Sequence, residues 1–278
     1  MEAWGRFRKH KPAMLGLGIL VLYSLLAIFA PWVTPHDPVQ QALIQSLETP
    51  SAEFWLGTDH LGRDVLTRIL YGTRISLFIG IAAVAVGMAV GIPLGVVSGY
   101  YGRATDMVIQ RVADIMFSFP SILLALALVA VLGVGLNNVI IAVGVAIVPI
   151  FIRLVRGQVL AVREEAYVDA ARAIGASDLR ILTRHVLANS WAPIIVQATI
   201  SIGITILVAA GLGFLGLGVP SPTPEWGAML GEGRNYIYSH PHMSTFPGLA
   251  IFLAVIAFNL MGDGLRDALD PRLRALEA

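Results

Sequence analysis

Few residues of this 278-residue sequence stand in spacings that support covalent or hydrolytic chemistry. The chain has no cysteine, which excludes disulfides, thiolate metal sites and cysteine nucleophiles. The zinc-protease pattern His-Glu-x-x-His and the serine-hydrolase pattern Gly-x-Ser-x-Gly do not occur. Lysine occurs only as Lys9 and Lys11, so a phosphate-binding loop ending in Gly-Lys-Ser/Thr cannot exist farther along the chain. We therefore predict no catalytic residue, and any ATP that drives this protein must be hydrolysed by another chain.

Histidines and aspartates in two polar segments remain as candidates for metal binding or acid–base chemistry. They are His36, Asp59, His60, Asp64, His240 and His242. Aspartates beside glycines more often cap helices or form turns, and two histidines that flank a proline are more typical of a loop surface. We predict no metal site, and nickel ligation by the histidines remains the alternative.

The elements that must position any site are apolar helices. Hydrophobic residues make up 56% of the chain and charged residues 13%, with a mean hydropathy of +0.76. Soluble domains carry about 25% charged residues, so this composition indicates a polytopic membrane protein. The net charge of +1 gives no indication of nucleic-acid binding. We predict an all-α fold with six transmembrane helices, at residues 13–33, 75–98, 107–132, 139–154, 192–218 and 246–261.

Polar segments divide the chain into regions. They are a basic N-terminus (1–12), the first span (13–33), a polar loop with a helix lying on the membrane surface (34–74), a five-span core (75–265) with a central loop (160–190), and a tail (266–278). If the N-terminus is cytoplasmic, only four of the 19 lysines and arginines lie outside, namely Arg63, Arg68, Arg74 and Arg234. Cytoplasmic loops are enriched in such residues. We therefore predict cytoplasmic N- and C-termini and a cytoplasmic central loop.

A ridge of small residues runs along the second span. Gly87, Gly91, Gly95 and Gly99 recur every four residues and so share one helical face. Close backbone packing drives helix association in lipid, where hydrophobic attraction between helices is weak. We predict that this ridge faces another helix of the bundle.

Polar residues within the third and fifth spans are the candidates for a transport pathway. Arg111 and Asp114 lie three residues apart on one helical face, which predicts either a gate or a structural ion pair. Gln197, Ser201 and Thr205 lie four residues apart on one face of the fifth span. They can line a polar pathway, or they can hydrogen-bond across helices or to their own backbone.

The central loop contains a short helix between two apolar stretches. Tyr167, Ala170, Ala171 and Ile174 recur at i, i+3, i+4 and i+7, which predicts one helical face. Acidic residues at its start suit the helix dipole, and Gly175 provides a C-terminal stop. Small side chains at the centre of this face would let another protein approach closely, so we predict insertion into a groove on a partner. The predicted contact residues are Glu165, Ala166, Tyr167, Asp169, Ala170, Ala171, Arg172, Ile174 and Gly175.

This loop resembles the EAA loop of binding-protein-dependent ABC importer permeases. Asp169-Ala170-Ala171, then Gly175 and later His185-Val186-Leu187, follow the spacing of that family's motif. Asp169 stands where the family has glutamate, His185 where it has isoleucine, and Ala188 where it has proline. The acidic replacement should keep the docking charge, whereas the missing proline affects the geometry after the short helix.

Three further stretches resemble the peptide and nickel group of the same family. Residues 55–77 carry Leu-Gly-Thr-Asp, Gly-Arg-Asp and Arg-Ile-Ser-Leu. Residues 214–227 carry Phe-Leu-Gly-Leu-Gly and Pro-Glu-Trp-Gly, and Asp270-Pro271-Arg272 matches the family's usual C-terminal ending. The resemblance therefore covers nearly the whole chain.

The resemblance implies a type I ABC importer permease fold in the bacterial inner membrane, with a coupling helix in the central loop. It also implies three kinds of protein partner: a homologous permease, two cytoplasmic ATPase subunits, and a periplasmic or lipid-anchored substrate-binding protein. ATP and Mg would bind to the ATPases, and this chain, surrounded by membrane lipids, would bind no cofactor. The implied cargo is di- or oligopeptides moved by alternating access, with a nickel chelate or a glutathione- or opine-type solute as the alternative.

Two other classes of protein fit the residues less well. An autonomous secondary transporter would be expected to have internal repeats and carboxylates within its spans. Asp114 and Asp263 instead lie near span ends, and no convincing repeat is visible. An intramembrane hydrolase would need one of the motifs that are missing here.

Overall fold

The computed structural model describes residues 2–269, which form α-helices joined by turns and loops, with a long loop at 34–64. In chain order the helices are α1 (Glu2–Lys9), α2 (Lys11–Val33), α3 (Val65–Tyr101), α4 (Arg103–Phe117), α5 (Ser121–Leu132), α6 (Leu136–Arg163), α7 (Ala166–Ala173), α8 (Asp178–Arg180), α9 (Leu187–Phe214), α10 (Trp226–Gly233) and α11 (His242–Leu269). A π-helical stretch, Ile181–Val186, joins α8 to α9. The motif Asp270-Pro271-Arg272 lies outside the described residues.

Five helical segments are long and apolar enough to cross a membrane. They are α2, α3, α6, the continuous unit 178–214 that ends in α9, and α11. The consecutive helices α4 and α5 pass the same test only when they are taken together, and counting this bent pair as one span gives six. The prediction of an all-α membrane protein is therefore confirmed among the described residues.

The third span, predicted as one transmembrane helix over 107–132, consists of two helices. Helices α4 and α5 meet at an angle of 91°. Pro120 lies at this break. Its ring removes a backbone donor and disfavours a helical conformation in the residue before it, and both effects interrupt the helix. At 15 and 12 residues, the two segments extend about 22 Å and 18 Å at 1.5 Å per residue. Each is shorter than the hydrocarbon core of a bilayer, which is about 30 Å thick.

Helix α3 is longer than the predicted second span. Its 37 residues extend about 55 Å at 1.5 Å per residue, so it projects beyond the membrane. Val65, Leu66, Ile69 and Leu70 lie within the loop for which we predicted a surface helix, and they form the first turns of α3 instead. Asp64 caps this start, because its Oδ2 accepts a hydrogen bond of 2.9 Å from the Thr67 N–H.

The glycine ridge of α3 lies against α6, in the most extensive helix–helix contact of the described residues. A Cβ atom added to Gly91 would lie 2.6 Å from the Phe151 Cβ and 2.8 Å from the Val148 carbonyl oxygen. Gly87, Gly95 and Gly99 would meet α6 equally closely, at 2.7 to 2.8 Å. These glycines therefore allow the two backbones to approach to a distance that any side chain would prevent.

Candidate functional site

Helix α7 begins and ends close to its predicted bounds. Glu165 occupies its N-cap position, and Ala166 is its first residue. Gly175 follows with φ +82°, a left-handed conformation that glycine adopts without steric cost. The Gly175 N–H donates to the Arg172 carbonyl at 2.9 Å, and the Ala176 N–H donates to the Ala171 carbonyl at 3.0 Å. These bonds satisfy the last carbonyls of the helix and turn the chain sharply.

One face of α7 anchors it to the bundle. Val168 is fully buried and Ala171 is 6% exposed. They belong to an apolar cluster that includes Val159 of α6 and Ile181 of the π-helical stretch. Ala171 therefore lies on the inner face, which corrects the prediction that it contacts a partner. Val168 was missed by the sequence reasoning, although its three-residue spacing from Ala171 is a helical signal.

The adjoining face of α7 carries exposed apolar side chains. We call Tyr167, Ala170 and Ile174 the outward face, because all three are exposed and Ile174 is 86% exposed. Leu179, in the turn after α7, is also 72% exposed. Apolar residues concentrated on one surface are typical of a protein interaction site.

Charged residues next to the outward face are partly paired within the chain. Arg172 Nη1 donates to Asp169 Oδ1 at 3.0 Å, between two exposed side chains. The Tyr100 hydroxyl at the end of α3 donates to Asp178 Oδ1 at 2.5 Å. Arg163 Nη1 also donates to the Gly99 carbonyl, at 3.1 Å. The loop that carries α7 is thus attached to the C-terminal end of α3.

The polar residues predicted on α9 divide between two roles. Thr205 is fully buried, and its hydroxyl lies within donating distance of two carbonyl oxygens, Ile202 of its own helix at 2.9 Å and Gly80 of α3 at 3.1 Å. Ser201 is also fully buried and accepts a 3.1 Å hydrogen bond from Gln197 Nε2. Of the three, Gln197 lines a cavity of about 470 Å³, formed by α6, α9 and α11.

This cavity lies at the α7 end of the bundle. Its lining includes Asn189, whose Nδ2 donates to the Tyr167 hydroxyl at 3.0 Å and to the His185 carbonyl at 2.7 Å. Gln158 of α6 and Arg266 of α11 also line it. Asn189 therefore connects the cavity wall directly to α7, a contact that spacing along the sequence did not indicate.

Arg111 and Asp114 do not form the predicted pair among the described residues. Asp114 Oδ1 instead accepts a 2.6 Å bond from Arg153 Nη2 of α6, and both side chains are about half exposed. The Arg153 guanidinium also lies 4.2 Å from the ring centre of Phe117. Arg111 is exposed. The charge on Asp114 therefore joins α4 to α6 rather than forming a pair within one helix.

The polar loops at the end opposite α7 are joined by two buried arginines. Arg63 and Arg68 are each 1% exposed. Arg63 donates to Asp59 Oδ2 at 2.6 Å and to Glu232 Oε2 at 2.7 Å. Arg68 donates to the Pro222 carbonyl at 3.3 Å. The two motif-bearing segments, distant in sequence, therefore form one ion-pair network.

This network also bears on the histidine and aspartate candidates. Ligand atoms of Asp59, His60 and Glu232 lie within 4.8 Å of one another. Both carboxylates are already paired with Arg63 and Arg68, whose two positive charges balance them and oppose a metal cation at the same place. His242 Nε2 lies 3.0 Å from the Thr58 carbonyl oxygen, an interaction that joins the two loops.

Glu225 is a buried acid within the same end of the bundle. Its carboxylate accepts bonds from the Gly227 and Ala228 N–H groups at 2.9 and 2.8 Å, which caps α10. The Ser76 hydroxyl donates a third bond, at 3.1 Å. Burial raises the pKa of Glu225 above its usual range, while these three bonds oppose the rise. Beside it, Trp226 is fully buried and donates to the Ile69 carbonyl at 3.1 Å.

Comparisons with known proteins agree with this geometry. Residues 91–275 match the family described as binding-protein-dependent transport system inner membrane component, and residues 1–50 match the N-terminal transmembrane domain of oligopeptide transport permease C. The chain is 51% identical to the dipeptide transport system permease protein DppC of Alkalihalophilus pseudofirmus, over 99% of this chain and 90% of that protein. It is 49% identical to the glutathione transport system permease protein GsiD of Pectobacterium atrosepticum, over 99% of this chain and 91% of that protein.

Solved structures of the MetNI methionine ABC transporter in inward-facing conformations share the fold. One superimposes with a TM-score of 0.59 at 20% identity, over 74% of this chain and 98% of the matched chain. A second crystal form gives a TM-score of 0.58 at 19% identity, over 73% and 97%. The resemblance drawn from the sequence motifs and the predicted type I importer fold are thereby confirmed.

Proposed function

Because this chain belongs to the family of binding-protein-dependent transport system inner membrane components, we propose that it moves di- or oligopeptides across the bacterial inner membrane as one permease subunit of an ATP-driven importer. The observation that carries the proposal is α7. It is fixed to the bundle by Val168 and Ala171, and it presents the exposed apolar side chains of Tyr167 and Ile174 on its outward face. Such a helix transmits force when a partner binds that face.

The partners follow from what this chain lacks. It has no Gly-Lys-Ser/Thr loop for ATP, so two ATPase subunits supply the hydrolysis and bind ATP and Mg. They dock on the outward face of α7 in the cytoplasm, and the distribution of arginines supports a cytoplasmic central loop. A homologous permease completes the pathway, and a substrate-binding protein delivers peptide at the opposite end.

Alternating access follows from the attachments of α7. The Tyr100–Asp178 hydrogen bond and the Arg163–Gly99 bond tie the α7 loop to the end of α3. Helix α3 in turn packs along α6 through its glycine ridge. Closure of the ATPase dimer would therefore displace α7, α3 and α6 together, and the bundle would change between two openings.

The substrate assignment rests on the named relatives. A dipeptide permease and a glutathione permease share about half of their residues with this chain, and glutathione is itself a tripeptide. Short peptides therefore form the substrate class that fits both relatives. Nickel chelates remain the alternative, and the experiment described next distinguishes them from peptides.

The experiment uses the reconstituted complex of this chain with its partner permease, the ATPases and the binding protein. ATP hydrolysis and uptake are measured with dipeptides, oligopeptides, glutathione and nickel chelates. We expect stimulation by peptide-loaded binding protein. A response to nickel alone would replace the peptide assignment, and hydrolysis that is indifferent to every solute would overturn the proposal.

A matched pair of variants tests docking. Ile174→Asp places a charge on the outward face and should release the ATPases from the purified complex. Ile44→Asp makes the same change at a fully exposed isoleucine in the loop before α3, and it should retain them. Retention of the ATPases by both variants would contradict docking at α7.

A further inference from the structure

The cavity between α6, α9 and α11 has the composition of a small-molecule binding site. Its volume of about 470 Å³ lies within the range of about 300–1,000 Å³ that is usual for ligand pockets. Leu154, Val196, Ile200 and Leu269 make much of its wall apolar. Among the described lining residues, one charged group is present, the guanidinium of Arg266. Such a pocket favours a ligand that is largely apolar and carries a negative charge.

The amide side chains of the wall specify the rest of the ligand. Asn189 uses its Nδ2 group to bind Tyr167 and His185, and Gln197 uses its Nε2 group to bind Ser201. Their carbonyl oxygens therefore remain as acceptors for N–H groups of a ligand. Because the donor groups are held by these bonds, the acceptors are oriented in advance.

From this arrangement we propose that the cavity binds a short peptide with a free carboxylate, and that Arg266 receives the carboxylate. A guanidinium forms two parallel hydrogen bonds to a carboxylate, which gives strong and directional recognition. Asn189 and Gln197 accept hydrogen bonds from the peptide N–H groups, and the apolar wall contacts the side chains. Binding to main-chain groups accommodates many side chains, as a permease for diverse peptides requires.

The position of the cavity makes it a site on the exit side of the pathway. This placement rests on the proposed function, because it takes the α7 end as the cytoplasmic end. Asn189 lies in the cavity wall and also bonds to Tyr167, at the outward face of α7. A peptide in the cavity therefore occupies space directly beside the helix to which the ATPases dock.

The test measures peptide binding to the complete permease–ATPase complex without the binding protein. The probes are radiolabelled alanyl-phenylalanine and the same dipeptide with a C-terminal amide, which has no carboxylate. We expect saturable binding of the free acid to the wild-type complex, and binding of the amide that is at least tenfold weaker. Arg266→Gln should weaken binding of the acid at least tenfold and abolish the discrimination between acid and amide.

Two further variants separate binding from folding. Arg8→Gln removes the same charge at an exposed arginine of α1, and it should leave the discrimination unchanged. Ala192→Phe fills the cavity while keeping Arg266, and it should weaken binding of both probes. Assembly of every variant is checked by its ATP hydrolysis.

Two results would overturn the proposal. One is a wild-type complex that shows no saturable binding of the free acid. The other is an Arg266→Gln complex that still prefers the acid over the amide. If either result is obtained while the wild-type complex takes up peptide normally, only the assignment of the cavity is refuted. If the wild-type complex takes up no peptide, the proposed function is refuted.

Discussion

Gly91 offers the most direct test of the packing on which force transmission depends. In Gly91→Ala, the added Cβ would lie 2.6 Å from the Phe151 Cβ and 2.8 Å from the Val148 carbonyl oxygen. The carbonyl belongs to the backbone of α6 and cannot rotate away. The methyl group must therefore separate α3 from α6 over several residues.

The magnitude follows from two opposing terms. Overpacking a close contact typically costs about 1–3 kcal/mol. Alanine is the better helix former by about 0.5–1 kcal/mol, which offsets only part of that cost. We expect Gly91→Ala to be destabilising and the double variant with Gly95→Ala to be less than additive, because one separation of the helices relieves both contacts.

Gly18→Ala is the matched control, since no atom lies within 4 Å of the added Cβ in α2. It should leave stability unchanged or raise it slightly. Thermal unfolding of the purified complex, followed by intrinsic fluorescence, measures Gly91→Ala, Gly95→Ala, the double variant and Gly18→Ala. If Gly91→Ala unfolds at the same temperature as Gly18→Ala, the close approach of α3 and α6 is refuted.

Three other substitutions test separate parts of the chain. Gly175→Val should weaken ATPase docking without preventing membrane insertion, because its φ of +82° strains an L-residue by about 1–2 kcal/mol; co-purification of the ATPases measures it. Arg63→Gln should lower the free energy of unfolding, because Asp59 and Glu232 lose a partner. The loss should be about 3 kcal/mol, the low end of the range for broken buried pairs, because Arg68 remains nearby; chemical unfolding measures it. Glu225→Gln should flatten the pH dependence of stability, and thermal unfolding at a series of pH values measures this change. The raised pKa of Glu225 means that the folded state holds the proton more tightly. The contribution of protonated Glu225 to the free energy of unfolding is therefore complete below the ordinary glutamate pKa, and it is lost as pH rises through the pKa of Glu225 in the folded state.

Each of these has a control at a related residue. Gly175→Asn should retain docking, because asparagine tolerates the left-handed conformation, and equal loss in both variants would contradict the backbone argument. Arg111→Gln changes an exposed arginine and should leave stability within about 0.5 kcal/mol; a loss matching that of Arg63→Gln would remove the case for a buried network. Glu53→Gln changes an exposed glutamate, and a flattened pH profile there would show that Glu225 is not the titrating group.

Short-range spacing predicted the face of the glycine ridge and the end of α7, although it put Ala171 on the wrong face of α7. The four-residue repeat of Gly87 to Gly99 placed the glycines on one side of a helix, and they do share one side of α3. The position of Gly175 placed the end of α7 within two residues, because a helix ends readily where glycine allows positive φ. These features depend on helix geometry alone, which the order of residues determines.

The partners of charged residues were not predictable in the same way. Asp114 lies three residues from Arg111 but pairs with Arg153, 39 residues away. Asp106 binds Arg156 through two bonds of 2.6 and 2.7 Å, across 50 residues. Helix α4 packs against α6, which brings these side chains to their partners. A spacing rule considers one helix at a time and cannot include such a partner.

Composition and local periodicity by themselves determined that this protein is a helical membrane protein, and they located α7 in a sequence that carries no Gly-Lys-Ser/Thr loop. The tertiary structure alone decided that Ala171 faces inward, that Asn189 joins a cavity to Tyr167, and that Arg63 connects two distant loops. The reason is physical. Periodicity specifies which residues share a face, whereas the neighbour of that face depends on how all the helices pack against one another.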